Sequence, residues 1–283
     1  MKFVKMHGTG NDYVYVDLFK EKVADPVKAA IALSHRRFGI GGDGLILIKP
    51  REDADAEMVM YNADGSMSEM CGNGLRCVAK YVHDHYARGK DDLKLMTGAG
   101  WRGAKIVKRD AVGAAEQVRL DMGEPIWSGL KIPTTFDAPE VLDRKIEVAG
   151  RTFSFSSVSM GNPHCVIYVD DVVKFPVEQI GPLIETHPFF PRKVNVEFVQ
   201  VINQGEAIQR TWERGSGETW ACGTGASAVA AVGHILGKTS SRLTLHLTGG
   251  DLLLEYEGKG SVFLTGNAVE VFQGELPGLG LSL

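Results

Sequence analysis

MCGNGLRCVAKYV (70–82) and ACGTGASAVAAVG (221–233) carry Cys, Gly and Gly at the same offsets, each followed by small or apolar residues. A turn precedes each copy, NADGS (62–66) in the first and the Gly-rich ERGSGETW (213–220) in the second. Strand-like runs lead into both, Leu45 to Ile48 and Glu57 to Tyr61 in one case, Val194 to Ile202 and Ala207 to Trp212 in the other. From Gly74 onward, Leu75, Val78, Ala79 and Val82 fall on one helical stripe, and Gly89 closes the segment. The second helix is apolar almost all round, through Ala226, Ala228, Val229, Ala230, Ala231 and Val232, which suits a helix sheathed by sheet. A unit of strands, turn, Cys-Gly-x-Gly and helix that occurs twice predicts two similar halves.

Outward from these copies the chain reads mostly as short strands. Phe3 to Met6 and Tyr13 to Asp17 flank HGTGND (7–12), predicting strand, loop, strand. Asp25 and Pro26 make an N-cap and first helical residue, with Gly39 as the stop. Further runs stand at Leu243 to Leu247, Leu252 to Glu257, Val262 to Thr265 and Ala268 to Phe272. Few long helices separate the strands, so a regular βαβ parallel sheet is disfavoured and the fold class is α+β.

At 283 residues, with 44% hydrophobic and 23% charged residues and a net charge of -4, the composition is that of a soluble globular chain large enough for two domains. Lysines and arginines are scattered, leaving no footprint for nucleic acid and favouring a small-molecule partner. The opening MKFVKMHGTGND lacks a signal-peptide core, and the longest apolar stretch, Ala226 to Leu236, is too short to span a bilayer. A cytoplasmic protein without membrane contact is expected, and its 4 cysteines do not form a disulfide scaffold.

Gly39 to Gly44 spells G-x-G-x-x-G, but it follows a helix and enters LILI, the reverse of the dinucleotide-binding context. GHILGKT (233–239) lacks the first glycine of a phosphate loop and reads as a helix-ending turn. His83 and His85, flanking Asp84, read as a solvated polar face, and no metal site is expected. Cys77 and Cys165 read as buried small hydrophobes.

Cys71 and Cys222 differ because each immediately precedes the opening of a helix, where unpaired backbone N–H groups and the helix dipole favour a thiolate. Equivalent thiols on two lobes suit stereoinversion across an inter-lobe cleft. A base on one face of a carbon removes its proton while an acid on the other delivers one, and the roles exchange in the reverse direction. Backbone N–H groups at both Gly-x-Gly segments suit the substrate's carboxylate. A switchable disulfide between the two is the alternative from a different class, although no Cys-x-x-Cys motif supports it.

HGTGNDYV, FGIGGDG, YNADGSMSEMCGNGLRC, GNPH, NVEF and ERGSGETWACGTG, in that order between Lys2 and Leu236, resemble the diaminopimelate epimerase family. Asn73 separates the chain from proline racemases, which typically carry His there. The resemblance implies two pseudo-symmetric α+β lobes, each a strongly curved, mostly antiparallel sheet around a central helix, with the active site in the inter-lobe cleft. The lobes would be 1–121, with 267–283 returning to it, and 122–266. It further implies interconversion of LL- and meso-2,6-diaminopimelate, in lysine and peptidoglycan biosynthesis, with no cofactor, by an enzyme that forms a homodimer. Cys71 and Cys222 match the two catalytic cysteines, and His164 and Glu213 match residues that set their protonation. Asn62, Asn162, Asn195 and Arg214 match the residues that hold the distal amino-acid centre, with Glu213 also beside the substrate. Asn11 matches a contact to the reacting amino group, and Gly72, Asn73, Gly223 and Thr224 match the donors to the reacting carboxylate. Gly44 departs from members that carry Gln there and use it near the amino group. Which cysteine is base for which stereoisomer stays open.

Overall fold

β1 (Lys2–Gly8) and β2 (Asn11–Asp17) form an antiparallel hairpin in a computed structural model that describes residues 1–276. Thr9 and Gly10 close it, both at positive φ (53° and 80°), as tight hairpin turns require. Most of the expected HGTGND loop is therefore strand, because pairing continues to Gly8 and Asn11.

Asp25 caps α1 (Pro26–Ser34), its carboxylate accepting the Lys28 N–H at 3.0 Å, with Pro26 as the first helical residue. The helix buries Ala29, Ala30 and Leu33 against Val14, Val16, Leu45, Leu47 and Tyr61. It stops short of Gly39: His35 ends it, and its ring Nδ1 accepts the N–H groups of Arg37 and Phe38 at 3.2 and 3.0 Å. β3 (Gly44–Lys49), β4 (Ala56–Asn62) and the short β5 (Met67–Ser68) then lead to α2 (Gly72–His85). β6 (Asp92–Thr97), β7 (Gly100–Arg109) and β8 (Ala115–Asp121) follow.

β1 and β2 are antiparallel, β2 and β3 parallel, β3 and β4 antiparallel, β4 and β6 parallel, and β6, β7 and β8 antiparallel in turn. The two parallel pairs are the places where α1 and α2 make crossovers, since parallel neighbours cannot be joined by a tight turn. α2 packs against β1, β2, β4, β6 and β7, so almost all of it is buried, polar Arg76, Lys80 and His83 included. His83 is thus not part of a solvated face: it is 0% exposed, and its Nδ1 lies 2.7 Å from Asp84 Oδ1.

The same plan recurs after β9 (Val141–Val148). β10 (Arg151–Ser159), β11 (Pro163–Tyr168), α3 (Val177–Glu185), β12 (Asn195–Asn203), β13 (Glu206–Glu213), the short β14 (Gly217–Thr219) and α4 (Gly223–Ile235) follow in order. β15 (Arg242–Leu247), β16 (Gly250–Glu255) and β17 (Phe263–Asn267) complete it. β11 and β12 are parallel around α3, β13 and β15 parallel around α4, and the other neighbours antiparallel. α4 lies against β10, β11, β12 and β16, and the core joins Phe155, Phe198, Val196 and Ile180.

β18 (Val269–Glu275) pairs antiparallel with β1. The chain divides into one unit of Met1–Leu120 with Gly266–Leu283, and a second of Asp121–Thr265. Of the stretch expected to return to the first lobe, 277–283 lies outside the described residues. Among the described residues no helix is long and apolar enough to cross a membrane.

Candidate active site

Cys71 is the N-cap of α2 and Cys222 the N-cap of α4, both with extended backbone, φ/ψ of -139°/113° and -123°/108°. Each sulfur accepts the N–H of the second glycine of its motif, Gly74 at 3.3 Å and Gly225 at 3.4 Å. A thiol thus does what Ser or Asp does at ordinary helix starts, taking one of the donors the helix leaves unmatched. The N–H groups of Gly72, Asn73, Gly223 and Thr224 lie in the same first turns, where the dipole favours an anion.

In the first unit, Cys71 Sγ lies 3.2 Å from Asn11 Oδ1, and Asn73 Nδ2 donates to the same oxygen at 3.4 Å. Asn11 Nδ2 in turn donates to Asp43 Oδ2 at 2.6 Å. Among the described residues no hydrogen bond joins Asn62 to this cluster. It sits at the end of β4 opposite Gly44, with Nδ2 donating to Ser66 Oγ at 3.0 Å. Gly44 has a packing reason of its own, since a Cβ there would lie 2.1 Å from the Tyr61 carbonyl and 2.9 Å from the Tyr13 ring.

In the second unit a chain of polar groups ends at Cys222. Glu197 Oε1 meets His164 Nδ1 at 2.8 Å, and His164 Nε2 meets Asn162 Oδ1 at 2.9 Å. Asn162 Nδ2 donates to Thr224 Oγ1 at 3.2 Å, and that hydroxyl lies 3.5 Å from Cys222 Sγ. His164 and Glu197 are both fully buried. Glu213, at the end of β13, accepts from Thr219 Oγ1 at 2.5 Å and lies near Cys222. Asn195 is a clamp: it donates to the Pro163 carbonyl at 2.9 Å and accepts the Arg214 N–H at 2.9 Å. Among the described residues, the exposed Arg214 guanidinium donates to the Arg192 carbonyl alone, at 3.2 Å.

Burial pushes the Cys222 thiol well above its ordinary value, and the carboxylates of Glu213 and Glu197 push the same way, against the weaker pull of Thr224 and the Gly225 N–H. Burial also raises Glu213, with Glu197 adding to the rise, while Thr219, His164 and Cys222 oppose it. Cys222 therefore rests as a protonated thiol. Burial raises Cys77 to about 11 and Cys165 further still, which leaves both as inert packing groups.

A family model described as diaminopimelate epimerase matches residues 3–128 and 156–271. The chain is 50% identical to a diaminopimelate epimerase of Leptospira biflexa over 98% of its length and 99% of the relative's. It is 49% identical to that of Agathobacter rectalis, again over 98% and 99%. The chain belongs to the diaminopimelate epimerase family. Two solved structures share only its fold: a predicted epimerase from Pseudomonas aeruginosa (TM-score 0.71, 17% identity, 98% and 99% of the two chains) and a probable proline racemase from Agrobacterium radiobacter (TM-score 0.70, 18%, 97% and 92%).

In this member of the diaminopimelate epimerase family, Glu197 is a site residue that sequence alone does not mark. Its motif, NVEF, points to Asn195 alone. The signal lies in the strand: Glu197 alternates with apolar Val196 and Phe198 yet is 0% exposed like them. Gly225 makes room for it, because a Cβ at that position would stand 2.6 Å from Glu197 Oε1.

Proposed function

We propose that this chain interconverts LL- and meso-2,6-diaminopimelate by proton transfer at one α-carbon, with Cys71 and Cys222 as the two acid–base groups. The observation that carries the proposal is that both thiols cap the buried helix of a repeated unit, in a chain of the diaminopimelate epimerase family.

Removing an α-proton leaves a carbanion, so inversion needs a base on one face, an acid on the other, and positive potential at the carboxylate. In this reading a Cys71 thiolate takes the proton from carbon, becoming a thiol, while Cys222 delivers its proton to the opposite face and becomes the thiolate. That end state is the starting state for the reverse direction. The first-turn N–H groups of Gly72, Asn73, Gly223 and Thr224 hold the carboxylate as charge builds on it. Asn11 receives the α-amino group. Glu213, and His164 through Asn162 and Thr224, set when Cys222 holds its proton. Asn62, Asn162 and Arg214 receive the distal amino-acid centre, where a guanidinium suits a carboxylate by paired hydrogen bonds, and Asn195 fixes the Arg214 backbone. The scheme uses no cofactor, since the protein's own groups supply acid, base and charge stabilisation. It places the chain in lysine and peptidoglycan biosynthesis in the cytoplasm. The exposed Val269, Val271 and Phe272 on β18 support a homodimer.

The test is NMR of LL-diaminopimelate with reduced protein in D2O and no added cofactor. Meso isomer carrying deuterium at the inverted carbon is the expected product. Cys71→Ser and Cys222→Ser should each lower turnover by about 10²-fold or more, because serine is a far weaker base at neutral pH. Unexchanged substrate with folded, reduced wild-type protein overturns the proposal.

A further inference from the structure

Arg76 has the largest side chain among the fully buried residues, and it has no carboxylate partner among the described residues. Its Nη2 donates to Thr9 Oγ1 at 2.7 Å and Asn73 Oδ1 at 2.9 Å, and its Nε to the Asn267 carbonyl at 3.3 Å. All three acceptors are neutral, and Nη1 is buried with no partner among the described residues. Helical side chains lean toward the helix N-terminus, so this guanidinium adds to the positive end of the α2 dipole instead of opposing it. The backbone accommodates it: a Cβ on Gly8 would stand 2.9 Å from Arg76 Nη2. A buried cation in that position needs an anion.

We propose that Arg76 is the positioning residue that keeps Cys71 anionic and ready to act as a base, working through the first turn of α2. The inference deepens the proposed function, since it rests on Cys71 being an acid–base group. Three ionisable groups couple to the guanidinium: Cys71, Cys77 and Tyr15. Burial holds the Cys77 thiol and the Tyr15 hydroxyl in their neutral forms at physiological pH. Cys71 alone of the three is part-exposed, and it alone has a helix N–H aimed at its sulfur. The same guanidinium also fixes Asn73, which shares Asn11 Oδ1 with Cys71.

Most other charges on the surrounding elements are matched. Lys5 of β1 pairs with Asp12 of β2, and Arg36 with Asp12 and Asp43. Lys49 and Arg51 take Glu57 of β4, and Lys80 takes Asp84 within α2. Asp92 of β6 and Lys105 of β7 pair with each other, Lys108 of β7 pairs with Glu116, and Lys94 of β6 sits over Trp101. Asp17 of β2 accepts from Tyr81 and lies 3.6 Å from Lys20. Among the described residues, Arg76 is left as a fully buried cation with no carboxylate partner, hydrogen-bonded to the Asn73 that shares Asn11 with the thiol.

The experiment measures alkylation of Cys71 by iodoacetamide against pH, read by peptide mass spectrometry so that each cysteine is followed separately. It compares the wild-type chain with Arg76→Met, Arg76→Gln and Arg76→Lys. Both neutral variants should move the Cys71 midpoint up by about one pH unit or more, and Arg76→Lys should restore most of the shift. Arg76→Gln can still hydrogen-bond Thr9 and Asn73, so a purely structural role predicts a wild-type midpoint for it. That result in folded Arg76→Gln overturns the proposal, and if Arg76→Met fails to fold the Gln and Lys pair decides alone. Because the assay needs no turnover, a shifted midpoint in a chain that fails the D2O test would leave Arg76 assigned and remove the epimerase reading instead.

Discussion

Glu213 is held against its own ionisation. Burial and the Glu197 charge raise it, so the folded chain keeps this proton to a higher pH than the unfolded chain does. Above the unfolded value, about 4.3 for Glu, the unfolded state ionises first, and stability is lost as pH rises toward the folded value. Glu213→Gln removes that loss while keeping an acceptor for Thr219. The expected outcome is a variant that melts with the wild type near pH 4, melts higher at pH 7, and epimerises at least about 10-fold more slowly. Thermal melts at the two pH values check it, and a lower melting point at pH 7 refutes the electrostatic account. At this scale the two cap cysteines were legible, because capping is local chemistry: a residue, two glycines and a helix start lie within four positions. Glu197 and Arg76 were not. Each is defined by what surrounds it in space, and in sequence one is a charged residue in a strand and the other a charged residue on a helix.

Gly225 shows how an element enforces the site. In an ordinary helix Gly→Ala stabilises by roughly 0.5–1 kcal/mol, through backbone entropy. Here the added methyl would stand 2.6 Å from Glu197 Oε1, and that oxygen already holds His164 at 2.8 Å. Neither β12 nor α4 yields easily, since both are buried there. Gly225→Ala should therefore destabilise by about 1–3 kcal/mol, the usual cost of overpacking, and slow epimerisation. Denaturant midpoints decide it, and a stabilised variant would show that the Glu197–His164 pair has slack. The same tertiary dependence explains which elements were hidden. α3 has Pro182 inside it and no side-chain cap, so neither propensity nor a start signal announces it. Its position is set by Gly181, where a Cβ would stand 2.5 Å from Trp212, and by the Trp212 Nε1 bond to Glu185 at 2.7 Å. β7 was hidden for a different reason: it carries Lys and Arg on its exposed positions and buries only Ala104 and Ile106.

The duplicated order of parallel and antiparallel pairs makes each unit a sheet wound on one helix, and β18 falls outside that repeat. The Ala268 to Phe272 run reads as a strand, but only the family resemblance gives its destination, because a pairing with residues some 270 positions earlier leaves no local trace. β18 covers β1 from Lys2 to His7, through a register shift between Lys5 and Met6. Phe3 packs edge-on to Phe272 with ring centroids 6.0 Å apart, and Gly274 lets the Phe3 ring lie across it, where a Cβ would be 2.4 Å away. β1 in turn carries Gly8, beside which Arg76 and Asn73 are seated. A chain ended at Asn267 keeps every site residue named above but opens the edge of β1. Each lost ladder bond contributes about 0.5–1.5 kcal/mol, so the truncated chain should lose on the order of a few kcal/mol from its first unit. Amide exchange should accelerate through Lys2–His7 and into α2, with Val196–Val199 in β12 keeping its protection. Should Lys2–His7 exchange as slowly as in the full chain, β18 would be an appendage and not part of the fold that seats Cys71.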